Sequence, residues 1–198
     1  MTQTTTRVPQ EERTRLMRAR LLDAAVELLV EKGFAGTTTT LVSERAGVSR
    51  GAQLHHFPTK NDLVVAAVEH VMTGRDEALR VAVREHRGAK VRGVLEMLAD
   101  HFTSPGFKAA LELWTAARTD PDLLAAVAPL ERRLGREAHR LTVELLGVDE
   151  ARKGMREMIQ ATLDLCRGLG LADTLSDDAK RRRRILDQWA KVLEKEIA

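Results

Sequence analysis

The chain of 198 residues has few aromatic side chains and a single cysteine. Aromatic residues make up 3% of it and tyrosine is absent, which disfavours β-sandwiches and barrels because their strands are rich in aromatic and β-branched residues. The one cysteine, Cys166, excludes an internal disulfide and a zinc site built on cysteines. No apolar run approaches the about 18 residues of a membrane-spanning helix, and the N-terminus lacks the apolar stretch of a signal peptide. We therefore expect a cytoplasmic protein with no membrane partner.

Motifs of catalysis and metal binding are also missing. The sequence contains no Gly-rich phosphate loop, nucleophile elbow or metal-ligand helix motif, so we predict that it is not an enzyme and uses no cofactor. The adjacent His55 and His56 are a poor metal site, because neighbours on a helix point about 100° apart and no cysteine or acid flanks them at ligand spacing. Cys166 is expected to be a small buried apolar residue.

Positive charge is concentrated at the N-terminal end. Residues 1–60 hold nine Lys and Arg against six Asp and Glu, which accounts for the whole net charge of +3. Such a distribution suits a polyanionic partner, although so small an excess also arises by chance. A second basic run, Arg181–Arg184, is either a nucleic-acid patch or, as we favour, the solvated start of a helix that follows two aspartates.

Apolar residues recur at helical spacing along the whole chain. After a mobile tail at residues 1–10, the pattern predicts a helix from Arg15 to Lys32 that ends at Gly33. Pro129 is expected to kink or break its helix. No segment has the alternation of a strand, so we predict an all-α protein of about nine helices. The further predicted helices span 39–46, 50–56, 60–84, 90–103, 106–118, 121–146, 150–169 and 177–196.

Two short predicted helices form a helix-turn-helix. Thr38 and Ser49 are their N-caps, Gly47 ends the first, and Pro58 closes the second; Thr59–Asp62 fits the capping box that opens the next helix. Helices this short are not stable alone, since an isolated helix needs about 12–15 residues. We expect them to pack on the first helix through Leu28, Phe34, Val42, Val48 and Phe57.

The second short helix has side chains suited to the DNA major groove, which is about 12 Å wide. Arg50 can bond guanine or phosphate, and the small Gly51 and Ala52 let the backbone approach DNA. Hydroxyls such as that of Ser49 can bond phosphate oxygens. Lys60 lies at the N-terminus of a helix, which carries partial positive charge and disfavours a cation. A nearby anion would explain a lysine at this position. Each alone could be a capping or solvated side chain, but together they predict DNA contacts at Thr38, Thr40, Ser49, Arg50, Gly51, Ala52 and Lys60.

Residues 16–63 resemble the N-terminal domain of the TetR family of transcriptional regulators. The stretches LLDAAVELLVEKGFAGTTT and LVSERAGVSRGAQLHHFPTKNDL follow the family pattern, including the turn Ala46–Ser49 and the helix Gly51–Phe57. The resemblance implies a DNA-binding domain at 1–60 and a ligand-binding and dimerisation domain at 61–198. Many members have a tyrosine at the position of Leu54, and His55 is expected to supply part of that phosphate contact. The expected function is a repressor released from its double-stranded operator by a small-molecule effector.

The same resemblance implies a homodimer. The helices 150–169 and 177–196 of each subunit would form a four-helix bundle across the dimer axis, and ligand binding would move the helix 60–84 and change the spacing of the two DNA-binding domains. The candidate interface residues, from two stripes on these helices, are Met155, Ile159, Thr162, Ile185, Trp189 and Val192.

Residues around Trp114 combine apolar and polar groups as ligand pockets do. They line an effector pocket or are ordinary core, and Asp164 is a further polar candidate for a pocket or an interface. The candidate pocket residues are Met97, His101, Phe102, Phe107, Trp114, Arg118 and Asp164. Two other classes of protein stay open: a helical module whose basic end binds an acidic protein, and a ligand-binding or enzymatic bundle that binds no DNA.

Overall fold

The computed structural model describes residues 10–86 and 90–197, with the side chains of 75–79 and 82–86 outside the description. The predicted tail therefore lies outside it, except for Gln10. The described ranges contain nine helices and no strand, so the predicted all-α class is confirmed. The helices are α1 (Gln10–Gly36), α2 (Thr39–Ala46), α3 (Arg50–His56), α4 (Lys60–His86), α5 (Val91–Phe102), α6 (Pro105–Ala117), α7 (Pro121–Leu146), α8 (Met155–Ala172) and α9 (Ala179–Ile197).

The ends of the short helices lie where the capping residues predict. Thr38 Oγ1 accepts a hydrogen bond from the Leu41 amide at 3.2 Å, and α2 ends at Gly47, whose φ of 60° is left-handed. A glycine takes this conformation without the steric cost of a Cβ. Thr59 and Asp62 form the predicted capping box, with the Asp62 amide donating to Thr59 Oγ1 at 3.0 Å and the Thr59 amide donating to Asp62 Oδ2 at 3.1 Å.

Two features of the later helices differ from the prediction. Pro129 was expected to kink or break its helix; α7 continues through it, so a break is wrong, whereas a kink stays a prediction. Pro129 is exposed, and buried residues on both sides of it, such as Val127 and Leu134, pack into one core. Helix α8 begins at Met155 rather than near residue 150. Gly154 precedes it at a φ of 85°, and residues 149–154 form turns in place of a helical start.

The buried side chains form two apolar clusters. One joins α1 and α2 to α4, α6 and α7, and the other joins α5, α8 and α9 to parts of α6 and α7. Trp114 of α6 packs against both. The predicted domain boundary near residue 60 thus falls inside a shared core. We call α1–α3 the head and α4–α9 the body. None of the described helices is long and apolar enough to cross a membrane.

Candidate functional site

Helix α1 supports the two short helices of the head. Val42 and Phe57 are buried against it and α4, as predicted. Arg45 of α2 adds polar contacts, with its guanidinium 3.1 Å from Glu27 Oε2 and 2.9 Å from Glu31 Oε2. The hydrogen bond from Arg45 lowers the pKa of Glu31. Helix α2 is therefore fixed to α1 by an apolar face and by an ion-pair network.

Helix α3 presents one polar, open face to solvent. Arg50, Gly51, Leu54 and His55 are exposed. A Cβ added to Gly51 would meet no atom within 4 Å, so the backbone here is open to approach by a ligand. Arg50 Nη1 donates to Thr40 Oγ1 at 2.8 Å. This bond places the guanidinium between α2 and α3 and gives Thr40 a positioning role. The Thr40 hydroxyl accepts this bond and keeps its own proton to donate, so its phosphate contact stays a prediction.

The opposite face of α3 holds a residue that the sequence reasoning missed. Gln53 is completely buried, and its Nε2 donates to the Phe57 carbonyl at 2.8 Å. Gln53 Oε1 has no partner among the described residues. Since Pro58 follows immediately and cannot continue the helix, this amide fixes the end of α3. Its position four residues before Phe57 was a signal in the sequence, because residues at that spacing share a helix face.

The capping hydroxyls also face solvent. Thr38 and Ser49 are both exposed, and Ser49 Oγ accepts from the Ala52 amide at 3.3 Å. A hydroxyl that accepts one bond still has a proton to donate. Both groups can therefore cap a helix and bond an oxyanion at the same time, as the prediction requires.

Lys60 does not have the environment that the sequence suggested. Its Nζ donates to the Phe34 carbonyl at 2.5 Å and lies 3.9 Å from the centre of the Phe34 ring. Partial burial lowers the pKa of Lys60. The carbonyl and the ring thus stabilise the ammonium at this helix start, so an anion is not needed to explain it, and the phosphate contact of Lys60 stays a prediction. Lys60 links the start of α4 to the end of α1, which turns at Gly33 (φ 67°).

The two histidines of α3 occupy different environments. His55 is exposed, whereas His56 is half-buried, and burial, followed by His55 and Arg18, lowers the pKa of His56. The described residues contain no group of three potential metal ligands. His55 is the one of the pair that a nucleic acid could reach.

The candidate pocket residues separate into two sets. Edge-to-face contacts connect Phe102 to His101 and Phe107, with ring centres 5.0 and 5.1 Å apart, and Phe107 to Trp114 at 5.9 Å. Half-buried Met97 packs on the same apolar cluster. The packing of these five on one another and on the apolar cluster favours the ordinary-core alternative. The other two, Arg118 and Asp164, are exposed, and Asp164 bonds Arg167, whose guanidinium lies 5.5 Å from the centre of the Phe102 ring.

The candidate dimer residues also separate. Met155, Ile159 and Thr162 are buried, so they face inward and cannot meet a partner; Thr162 Oγ1 accepts a hydrogen bond from Trp189 Nε1 at 3.0 Å. This correction arises because α8 has two stripes at helical spacing and the more apolar one faces α5 and α9. The outward stripe of α8 consists of Met158, Ala161, Leu165 and Gly168.

On α9 the predicted stripe does reach the surface. Ile185, Trp189 and Val192 line an open groove of about 510 Å³ together with Leu165 of α8. We call this surface the α8–α9 face. In the basic run, Arg181, Arg183 and Arg184 are exposed, in keeping with a solvated helix start. Arg182 differs, because it is largely buried against Asp173 at 2.7 Å. Cys166 is buried, and burial raises its pKa to about 12, as expected of an unreactive thiol.

In the head, a glycine turn joins α2 to the short exposed helix α3, and α1 supports both. This arrangement defines a helix-turn-helix DNA-binding protein. Residues 21–67 match the family described as bacterial regulatory proteins of the tetR family. The chain is 30% identical to the HTH-type transcriptional regulator CymR of Pseudomonas putida, over 96% of this chain and 95% of that protein. The chain therefore belongs to the TetR family of transcriptional regulators, which are not enzymes.

Solved structures share the fold over nearly the whole chain. A transcriptional regulator from Rhodococcus sp. Rha1 aligns with a TM-score of 0.71 at 20% identity, covering 90% of this chain and 96% of that one. The multidrug binding protein EbrR, complexed with imidazole, aligns with a TM-score of 0.60 at 25% identity, covering 87% of this chain and 93% of that one. The similarity thus extends from the head through the body.

Proposed function

We propose that this regulator is a homodimeric repressor that binds operator DNA through α3 and leaves it when a small molecule binds the body. The observation that carries the proposal is the open face of α3, with Arg50, Gly51 and His55 exposed on a buried, hydrogen-bonded support. A helix held in this way can enter a major groove with little further ordering, which favours tight binding. Operator binding requires a cytoplasmic location, which is part of this proposal.

Each exposed group of the head has a role in this proposal. Arg50 reads a guanine edge or bonds a phosphate, and the small Gly51 and Ala52 let the helix lie close to the bases. Ser49 and Thr38 donate to phosphate oxygens. His55 contacts the backbone further along α3. Lys60 acts indirectly, because its ammonium bonds the Phe34 carbonyl, and Thr40 accepts a bond that positions Arg50.

The α8–α9 face supports the homodimer. It is the outer surface of two adjacent helices, and its apolar members Leu165, Ile185 and Trp189 line one open groove that a second copy would cover. A twofold axis through this surface would present two copies of α3 to one side of a DNA duplex. Half-sites on such DNA lie about one helical turn, roughly 34–36 Å, apart.

Contacts between α4 and α7 support release by an effector. Arg133 of α7 bonds Glu69 of α4 at 2.6 Å, and Arg80 of α4 bonds Glu137 of α7 at 2.6 Å. Because α4 also carries Lys60 against Phe34 of α1, a shift of α7 would reach the head. The similar protein EbrR is described as a multidrug binding protein complexed with imidazole, which favours a small-molecule effector here. Coupling of this kind requires different ligand affinities in the two states.

The test compares binding of DNA from upstream of the protein's own gene with binding of scrambled DNA. We expect Arg50→Ala to weaken binding to the native DNA by about 1–3 kcal/mol and to change binding to scrambled DNA much less. Arg183→Ala, which removes an exposed arginine from α9, is the matched control. Equal affinity of the wild-type protein for both DNAs would contradict the proposal.

A further inference from the structure

A polar groove of about 480 Å³ lies between α7 and α8, apart from the α8–α9 face. Helix α7 contributes Arg132, Gly135 and Arg136, and helix α8 contributes Arg156 and Gln160. We call this the α7–α8 groove. None of its residues belongs to the aromatic core around Trp114 or to the DNA-binding face.

The arginines of α7 differ in whether they have acidic partners. Four of them lie within nine residues of this helix. Arg133 bonds Glu69, and Arg140 bonds Glu137 and Glu144. Arg132 and Arg136, the two that line the groove, form no hydrogen bond or ion pair with any residue in the described ranges. The helix thus neutralises the cations outside the groove and leaves those inside it unpaired.

The positive charge in the groove is not balanced locally. Arg132 and Arg136 are four residues apart on one helix, where like charges repel. Arg156 faces them from α8, with Nη1 3.6 Å from Glu150 Oε1. That carboxylate oxygen is already 2.5 Å from His139 Nε2. Among the residues that line the groove, one acid, Glu131, faces three arginines.

We propose that the α7–α8 groove binds a small anion through its carboxylate or phosphate group. A guanidinium presents parallel N–H donors that match two oxygens of such a group. Arginines from both helices can approach the anion from two sides. Gly135 lies between Arg132 and Arg136 on α7 and adds no side chain that would fill the space between them.

The position of the groove suits a regulatory anion, a point that depends on the proposed function. The groove residue Arg132 is adjacent to Arg133, which bonds Glu69 of α4, and Arg136 is adjacent to Glu137, which bonds Arg80 of α4. An anion drawn between α7 and α8 would therefore act on the helix that contacts α4. Binding itself does not need DNA, so it can be tested separately.

The experiment measures thermal unfolding and calorimetric binding with inorganic phosphate or with acetate, at constant ionic strength set by sodium chloride. We expect saturable binding of at least one probe by the wild-type protein, and at least tenfold weaker binding by Arg132→Gln/Arg136→Gln. Arg136→Lys keeps the charge and should weaken binding less. Lys180→Gln/Arg183→Gln on α9 removes the same charge from exposed positions and should bind as the wild type does.

Two results would overturn the site. One is the absence of saturable binding of either probe to the wild-type protein. The other is equal loss of binding in both double variants, which would indicate a general effect of net charge. Operator binding in the absence of the probes should be unchanged in Arg136→Lys, so failure of this site and failure of DNA binding are distinguishable.

Discussion

The environment of Lys60 leads to a prediction that separates structural support from DNA contact. Lys60→Met keeps a long apolar side chain and removes the ammonium that bonds the Phe34 carbonyl and lies over its ring. A hydrogen bond of a charged group contributes about 1.5–3 kcal/mol, and a partly exposed cation–π contact about 0.5–1 kcal/mol. Burial of the ammonium offsets part of this, as the lowered pKa of Lys60 indicates. We expect a net loss of about 2 kcal/mol in the free energy of unfolding.

Two measurements decide the role of Lys60. Urea unfolding at fixed protein concentration gives the stability, and operator affinity measured over a range of salt gives the number of phosphate contacts, each worth about 0.9 in slope. We expect lower stability and an unchanged slope. Lys32→Met, at an exposed lysine of the head, should leave stability nearly unchanged. If Lys60→Met reduced the slope of operator affinity against salt by about one and left the free energy of unfolding unchanged, Lys60 would contact a phosphate and would not support the head.

Two further predictions concern the body. Val192→Glu changes a residue that is 44% exposed on the α8–α9 face. If the proposed dimer forms there, this variant should be a monomer in light scattering, because the dimer would bury an unpaired charge. Val30→Glu, at a residue 42% exposed on α1, should leave the oligomeric state unchanged. Arg140 and Arg80 lower the pKa of Glu137 to about 2. Its ionised form therefore stabilises the fold fully above the ordinary value of 4.5, and this contribution is lost as the pH falls towards 2. Glu137→Gln should cost about 1 kcal/mol at pH 7, after solvent screening, and nearly nothing near pH 2 in urea unfolding; an equal cost at both pH values would contradict the ion pairs.

Local features of the head could be predicted from the sequence because they depend on neighbouring residues. The caps at Thr38 and Ser49, the stop at Gly47 and the box of Thr59 and Asp62 each involve atoms within a few residues. Side-chain chemistry at a helix end determines these bonds whatever the rest of the chain does. The exposed face of α3 could also be predicted, because the same caps determine where this helix begins and ends.

Features that depend on distant residues were harder to predict. The contact of Lys60 with Phe34 spans 26 residues, so a local argument from the helix dipole gave an incomplete answer. On α8, periodicity identifies stripes but does not say which one faces the core, and Thr162 lies on the inner one. Pro129 does not disturb the packing of α7 because it is exposed. The neighbouring residues in the sequence do not show that it would be exposed.

Two copies of α3 are expected to read one DNA duplex. The measurement that tests it most directly is nuclease protection of the DNA upstream of the protein's own gene, with scrambled DNA as the control. We predict two protected half-sites on one face of the duplex, about one helical turn apart, at protein concentrations that give a dimer. Protection that is absent, or equal on the scrambled DNA, would contradict the account.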